Sequence, residues 1–318
     1  MEKKSVTRQK VGPEEAGGRI DNYLARILKG VPKSHLYRIL RSGEVRVNSG
    51  RVDATYRVME GDEIRIPPIR TASPNPARHR PLAGLNQAIL FEDDAFLALN
   101  KPAGMAVHGG SGVASGVIES LRAARPEARF LELVHRLDRD TSGVLLIAKK
   151  RSALRRLHEE LRAGKMDKRY LVLVAGAPSW KSYEANESLQ RTLNKEGERR
   201  VRVSEEGQVA RTRFTRKQVF AQTSLLEAKI YTGRTHQIRV HLAHLGYPVA
   251  YDEKYGDFAW NRDLAKAGLK RMFLHAAQLK FRHPENEEIM TVVAPLPQDL
   301  QDFLNRQDGP GGPQARKE

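Results

Sequence analysis

An α+β chain of two unequal parts is what the sequence predicts, on three observations. Two amphipathic helical stretches with short alternating strands behind them stand near the N-terminus. A proline- and arginine-rich break follows, and then a long remainder in which strand and helix patterns mix without an internal repeat. The length of 318 residues fits one small domain plus one large one, and 40% apolar residues suffice for a core.

Residues 1–16 read as an N-terminal arm and residues 17–66 as a compact unit. Within it, RIDNYLARIL and PKSHLYRILRSG predict two short helices. Ile20, Tyr23, Leu24 and Ile27 share one face of the first, and Leu36, Ile39 and Leu40 share one face of the second. Gly43 closes the second helix, as glycine does just past a helix end. EVRVNSGRV and DEIRIP then alternate apolar and polar residues around Asn48, Ser49 and Gly50, which predicts short strands joined by turns. Residues 67–85, beginning PPIRTASPNPARHRPLAG, lose all periodicity and read as a linker.

The larger domain is expected over residues 86–305. ILFEDDAFLALNKP gives a strand and turn, SGVLLIAKK a buried strand, and SALRRLHEELRAG a helix with Leu154, Leu157 and Leu161 inward and Gly164 as its stop. KRYLVLVAG is another strand, and NKEGERRVRVSEEGQ a charged, turn-rich segment between strands. SLLEAKIYTG leads into RTHQIRVHLAHLG, a helix ending at Gly246. The tail, residues 306–318, closes on DGPGGPQARKE, has no apolar pattern and is expected to be disordered.

Composition narrows the partners. Fifty-five Lys and Arg against 38 Asp and Glu leave a net charge of +17, which favours a polyanion, because cations that neutralise phosphates release condensed counterions. A generally basic protein with solvated charges is the plain alternative. The absence of cysteine excludes a disulfide framework, thiolate catalysis and cysteine-based zinc sites. MEKKSVTRQKVGPEEAGG lacks the apolar run of a secretory signal, and no stretch approaches the roughly 20 apolar residues of a membrane helix. A soluble, cytoplasmic monomer without a membrane partner is expected.

The stretch VHRLDRDTSGVLLIAKK sets the central chemical question. Asp138 stands between Arg136 and Arg139, in a loop that feeds a buried strand, so a rigid element holds it at the edge of a cleft. A loop carboxylate among arginines is either an ion pair or a nucleophile, and the residues alone leave both open. Tyr170 by itself reads as a strand core residue. His236, His241 and His244 cluster, but there is no HExxH and no carboxylate completes a ligand set, so no metal is expected. HGGSG lacks the lysine of a phosphate loop, and Ser142 in TSG is not in a GxSxG elbow and reads as a turn residue.

GGRIDNYLARILKGVPKSHLYRILRSGEVRVNSGRV resembles the S4 RNA-binding domain. The resemblance implies Arg19, Lys33, Ser34, Arg38, Arg41 and Arg46 as phosphate contacts; otherwise they are solvated charges on a helix pair. ILFEDDAFLALNKPAGMAVHGGSG, FLELVHRLDRDTSGVLLIAKK, KRYLVLV and TGRTHQIRVHLAHLGYPVAYDEKYG occur in the order and at the approximate spacing found in the RluA family of RNA pseudouridine synthases. With the S4-like unit in front, the chain looks most like the members that act on the ribosomal large subunit.

That resemblance implies a mixed, largely antiparallel sheet and a cofactor-free, metal-free isomerisation of uridine in large-subunit ribosomal RNA. The glycosidic bond breaks at N1, the uracil turns, and it rejoins through C5. Asp138 matches the family's catalytic aspartate, acting at ribose C1′, at uracil C6 or by elimination. Arg239, in HQIR, matches the arginine that pairs with it and favours its charged form. Tyr170, in KRY, matches the aromatic that stacks on the base and helps remove the C5 proton. Arg136 matches the arginine that fills the gap left by the flipped nucleotide. Lys101, Lys168 and His135 stand inside the matching motifs and are expected to contact the substrate's shape or phosphates. Two rivals remain. A non-catalytic RNA-binding protein leaves HRLD, KRY and HQIR without a purpose. A nucleoside or glycoside hydrolase using Asp138 with Asp140 needs its second carboxylate placed as acid or base, whereas the partner motifs offer arginine and tyrosine.

Overall fold

The computed structural model describes residues 6–28, 31–69, 84–109, 115–193 and 198–307. The chain divides after residue 79 into two units.

The first unit packs two helices, α1 (Ile20–Ile27) and α2 (Lys33–Arg41), against an antiparallel sheet of β1 (Thr7–Lys10), β2 (Arg46–Val47) and β3 (Glu63–Ile66), in the order β1-β3-β2. Ile20, Tyr23, Leu24, Leu36, Ile39 and Leu40 form its core with Val45, Val58 and Ile64, so the faces read from the 3.6-residue period are the buried ones. Gly43 follows α2 with φ of 73°. Two details differ from the sequence reading. The arm of residues 1–16 contains β1, whose fully exposed TRQK offers no apolar signal and is held by backbone pairing to β3. In EVRVNSGRV only Arg46–Val47 is strand, because Asn48 and Ser49 turn at positive φ and bring Gly50 back onto Val47.

The expected linker lies outside the described residues over 70–83, as does the tail over 308–318.

The second unit is built on a ten-stranded sheet. Its strands are β4 (Ile89–Glu92), β5 (Phe96–Lys101), β6 (Glu132–Leu133), β7 (Ser142–Ala148), β8 (Asp167–Ala175), β9 (Ser182–Ala185), β12 (Thr212–Val219), β13 (Thr223–Ile230), β14 (Leu274–Arg282) and β15 (Ile289–Val293). The order is β4-β5-β7-β14-β8-β13-β12-β9, with β6 on β7 and β15 on β14; only β7 and β14 run parallel. The mixed, largely antiparallel sheet is therefore as expected. A separate hairpin joins β10 (Leu189–Leu193) to β11 (Arg199–Val203). It corrects the reading of NKEGERRVRVSEEGQ as turn-rich throughout: Val201 is buried between outward arginines. ILFEDDAFLALNKP likewise holds two strands, β4 and β5.

Helices cover both faces. On one, α3 (Val117–Ala124) and α5 (Gln237–His244) pack Ile118, Leu121, Ile238 and Leu242 against Leu97, Leu145 and Val172. On the other, α4 (Arg151–Arg162) sets Ala153 and Leu157 against Phe96 and Leu146. There too α6 (Phe258–Lys266) and α7 (Gln298–Gln307) pack Leu264, Leu300 and Phe303 on Leu173. Strand β7 is buried at every residue, which explains its unbroken apolar run. Gly143 has φ of 112°, and a methyl group there would collide with the carbonyl of Ala276. Glycine lets β7 approach β14 immediately after the loop that carries Asp138.

Candidate active site

The β6–β7 loop presents Asp138 to a cavity of about 830 Å³ whose walls include Arg136, Arg139, Asp140, His236, Arg239 and Arg271. The Asp138 side chain is 26% exposed, and the backbone N–H of Thr141 bonds back to its carbonyl at 3.2 Å. The loop is thus closed on itself before β7 begins.

Arg239 comes from α5, in which Gln237 to Leu242 are all buried. A guanidinium buried on such a helix is largely stripped of water and needs anionic partners. Asp252, fully buried, accepts its Nε and Nη2 at 2.7 and 2.8 Å, while Nη1 reaches Asp138 Oδ2 at 3.1 Å. Asp252 also accepts the backbone N–H groups of Lys254 and Tyr255. Burial alone would raise the Asp252 pKa; the Arg239 hydrogen bonds and charge outweigh it and leave it lowered. Burial likewise opposes the charge on Arg239, yet Asp252 and Asp138 hold its pKa above the ordinary arginine value. The result is a charged fork fixed from behind and aimed at one oxygen of Asp138.

Tyr170 lies on β8 within the core and is 8% exposed. Burial, and then the Asp138 charge, push its phenol pKa up. The structure thus places Tyr170 within electrostatic reach of Asp138 but keeps most of its ring covered. Arg136 is exposed on the cavity rim and has no hydrogen-bond or ion-pair partner among the described residues. Asp140 is bonded to the exposed Arg139 at 3.2 Å.

The three residues expected to touch substrate are not among those that line the cavity. Lys101 has no exposure, and its ammonium donates to the carbonyls of Pro102, Met105 and Arg139 at 2.8, 2.8 and 2.9 Å, although burial draws its pKa down to about 7. It braces the Asp138 loop from within. His135 accepts the backbone N–H of Leu146 through Nε2, and burial, with nearby Lys168, lowers its pKa to about 4. Lys168 is 9% exposed and its pKa is lowered by burial. Of the histidines, His241 is fixed between Thr212 and the carbonyl of Glu187, His244 is exposed, and only His236 faces Asp138. No group of side chains that could hold a metal ion occurs among the described residues. Ser142 is a structural link, bonded to His275 and to Arg271.

Sequence reasoning missed Asp252 and Tyr255. The available signal was physical: an arginine inside the apolar helix QIRVHLAH needs a counter-ion, and YDEKYG supplies acids shortly after it. His236, set aside as a metal ligand, takes the left-handed backbone with φ of 55° at the start of α5. A non-glycine residue held so costs roughly 1–2 kcal/mol.

In the first unit, α2 turns Lys33, Ser34, Arg38 and Arg41 outward together with Tyr37. Arg38 is hydrogen-bonded to His35, Arg19 is bonded to Asp21 at 3.1 and 2.7 Å, and Arg46 donates to the carbonyls of Gly43 and Ser49.

Comparison with known proteins gives the family. A family model described as RNA pseudouridylate synthase matches residues 95–244, and one for the S4 domain matches residues 18–64. A protein of Escherichia coli named ribosomal large subunit pseudouridine synthase C is 53% identical over 310 residues, 95% of this chain and 97% of that one. Its namesake in Yersinia pestis is 53% identical over 92% of this chain and 93% of that one. Among solved structures, human RNA pseudouridylate synthase domain containing 4 superposes with a TM-score of 0.58 at 28% identity, covering 70% of this chain and 94% of that one. With 53% identity over nearly the whole of both chains, and an S4 match ahead of the synthase match, the chain belongs to the RNA pseudouridine synthase family.

Proposed function

We propose that this RNA pseudouridine synthase isomerises uridine in large-subunit ribosomal RNA, with Asp138 as the acting carboxylate, and that it works as a cytoplasmic monomer without cofactor or metal. The observation that carries the reading is the chain Asp252–Arg239–Asp138 opening onto a cavity. Each route open to the carboxylate, attack at C1′, attack at C6 or elimination at the sugar, needs an anion of fixed orientation, and Arg239 supplies the fixed cation. In an S4 domain beside a pseudouridine synthase fold, and in relatives named for the large subunit, lies the support for the substrate.

Arg136, unpartnered on the rim, takes the place of the flipped nucleotide, whose extrusion costs a few kcal/mol. Tyr170 stacks its ring on the detached uracil. Its hydroxyl takes or relays the C5 proton after the new carbon bond forms. Lys101 and His135 hold the loop and strand behind Asp138, and Lys168 stands with them in the interior. The test is carbodiimide mapping of pseudouridine in ribosomal RNA from cells lacking the protein, with and without its restoration. Large-subunit positions should be lost and regained; an unchanged map would refute the substrate, and free uracil as product would revive hydrolysis.

A further inference from the structure

Asp138 has two oxygens, and Arg239 holds one of them. Toward the other, Oδ1, points Nε2 of His236 at 3.9 Å, short of a hydrogen bond but within reach of a small side-chain movement. We propose that His236, as its neutral Nε2–H tautomer, is a positioning residue that holds the second oxygen of Asp138 during the reaction, and that Tyr255 selects this tautomer. The proposal rests on Asp138 being the reacting carboxylate.

The tautomer follows from the direction of the hydrogen bonds. The backbone N–H of Val201, on β11, donates to the Tyr255 hydroxyl oxygen at 3.0 Å. That hydroxyl lies 2.7 Å from His236 Nδ1, and no other acceptor for its hydrogen is found among the described residues. The hydroxyl therefore donates to Nδ1, and a neutral ring so bound carries its own hydrogen on Nε2. This is the nitrogen that faces the carboxylate. Burial lowers the His236 pKa and so favours the neutral ring, opposed by the Asp138 charge, reinforced by Arg239 and Lys254, and opposed again by Asp252.

Two further observations agree. His236 reaches this position through left-handed backbone with φ of 55°, a conformation retained only where the surroundings enforce it. The Tyr255 ring lies 5.1 Å from the Arg239 guanidinium, so one tyrosine touches both residues that flank Asp138. A neutral donor also suits the chemistry: it stops the carboxylate from rotating without the full second positive charge that would weaken it as a nucleophile.

The test uses the full chain and ribosomal RNA carrying 5-tritiated uridine from cells that lack the enzyme. Long-range proton–nitrogen NMR should find the His236 ring as the neutral Nε2–H form, and Tyr255→Phe should admit the Nδ1–H form. His236→Asn tolerates left-handed backbone but is too short to reach Oδ1. It should lower the single-turnover rate of tritium release about 100-fold while RNA affinity stays within about twofold. Tyr255→Phe should lower the rate about tenfold. An Nδ1–H ring in the unaltered protein, or His236→Asn within about threefold of the unaltered rate, overturns the proposal. An unaltered protein that releases no tritium overturns the assigned reaction, and this proposal with it.

Discussion

In the cavity of the larger unit the charges at the carboxylate are held. Arg239 has 7% of its side chain exposed and spends all its outward nitrogens on Asp252 and Asp138. On the outer face of α2 the arginines are held by almost nothing: Arg38 meets a histidine, and Arg41 stands exposed. The contrast separates two uses of one side chain. A carboxylate that must act at a single atom needs a partner whose position is fixed before substrate arrives. A surface that meets phosphate gains from cations that stay hydrated and free until contact, since released counterions supply the affinity.

Removing the anion itself gives the largest expected effect. Asp138→Asn keeps the size and a hydrogen bond to Arg239 but cannot be the nucleophile or anion. Pseudouridine formation should fall on the order of 10⁴-fold while ribosomal RNA binding changes by less than about twofold. Residual activity within about tenfold would remove Asp138 from the chemistry.

Next come the supports behind it. Arg239→Lys keeps charge but not the fork that engages two carboxylates, and should cost about 10²- to 10³-fold in rate. Asp252→Ala leaves a buried guanidinium with one partner and should destabilise the larger unit by about 3–5 kcal/mol in urea unfolding. The same pair sets a pH dependence. Because the folded pKa of Asp252 lies below its ordinary value of 3.8, the unfolded chain binds more protons in that window. The stabilisation is present above about pH 4 and is lost as pH falls through the folded value. Unfolding midpoints measured from pH 7 down to pH 3 should show this acid loss, and Asp252→Asn should flatten it.

Tyr170 gives a smaller and more selective loss. Tyr170→Phe retains the ring and loses the hydroxyl, so RNA affinity should hold while tritium release from 5-tritiated RNA slows about 100-fold. Release at the unaltered rate would leave stacking as the residue's whole contribution.

What was legible in the sequence follows the same division. The α1, α2 and α4 faces, the buried strand β7 and the stops at Gly43, Gly164 and Gly246 were readable because each is a local pattern of burial. Asp138, Arg239 and Tyr170 stood out through motif company rather than through any local physics. Asp252 did not, because its role is a tertiary contact from a loop after α5. Lys101 misled for a related reason: a lysine in a matching motif suggests phosphate, whereas here it ends the buried strand FLALNK and serves three carbonyls. Strand β1 has an exposed, wholly polar face and nothing for a periodicity to find.

The smallest expected effect tests the free half of the comparison, and it lies in a slope rather than in a rate. Arg41 is exposed without an ion pair among the described residues, while Arg19, counted with it as a phosphate contact, is bonded through two nitrogens to Asp21. An arginine already paired must give up that pair to meet phosphate, so its net gain from RNA is less. Arg41→Ala should therefore weaken ribosomal RNA binding a few-fold and flatten the plot of log affinity against log salt by somewhat under one unit, about 0.7–0.9. Arg19→Ala should move the slope by less than half as much. The slope is the sharper measure because a fold defect lowers affinity at every salt concentration in parallel, whereas a lost phosphate contact tilts the line. Equal tilts from both substitutions would mean that the Asp21 pair opens freely on RNA. No tilt from Arg41→Ala would mean that the outer face of α2 does not meet the phosphate backbone.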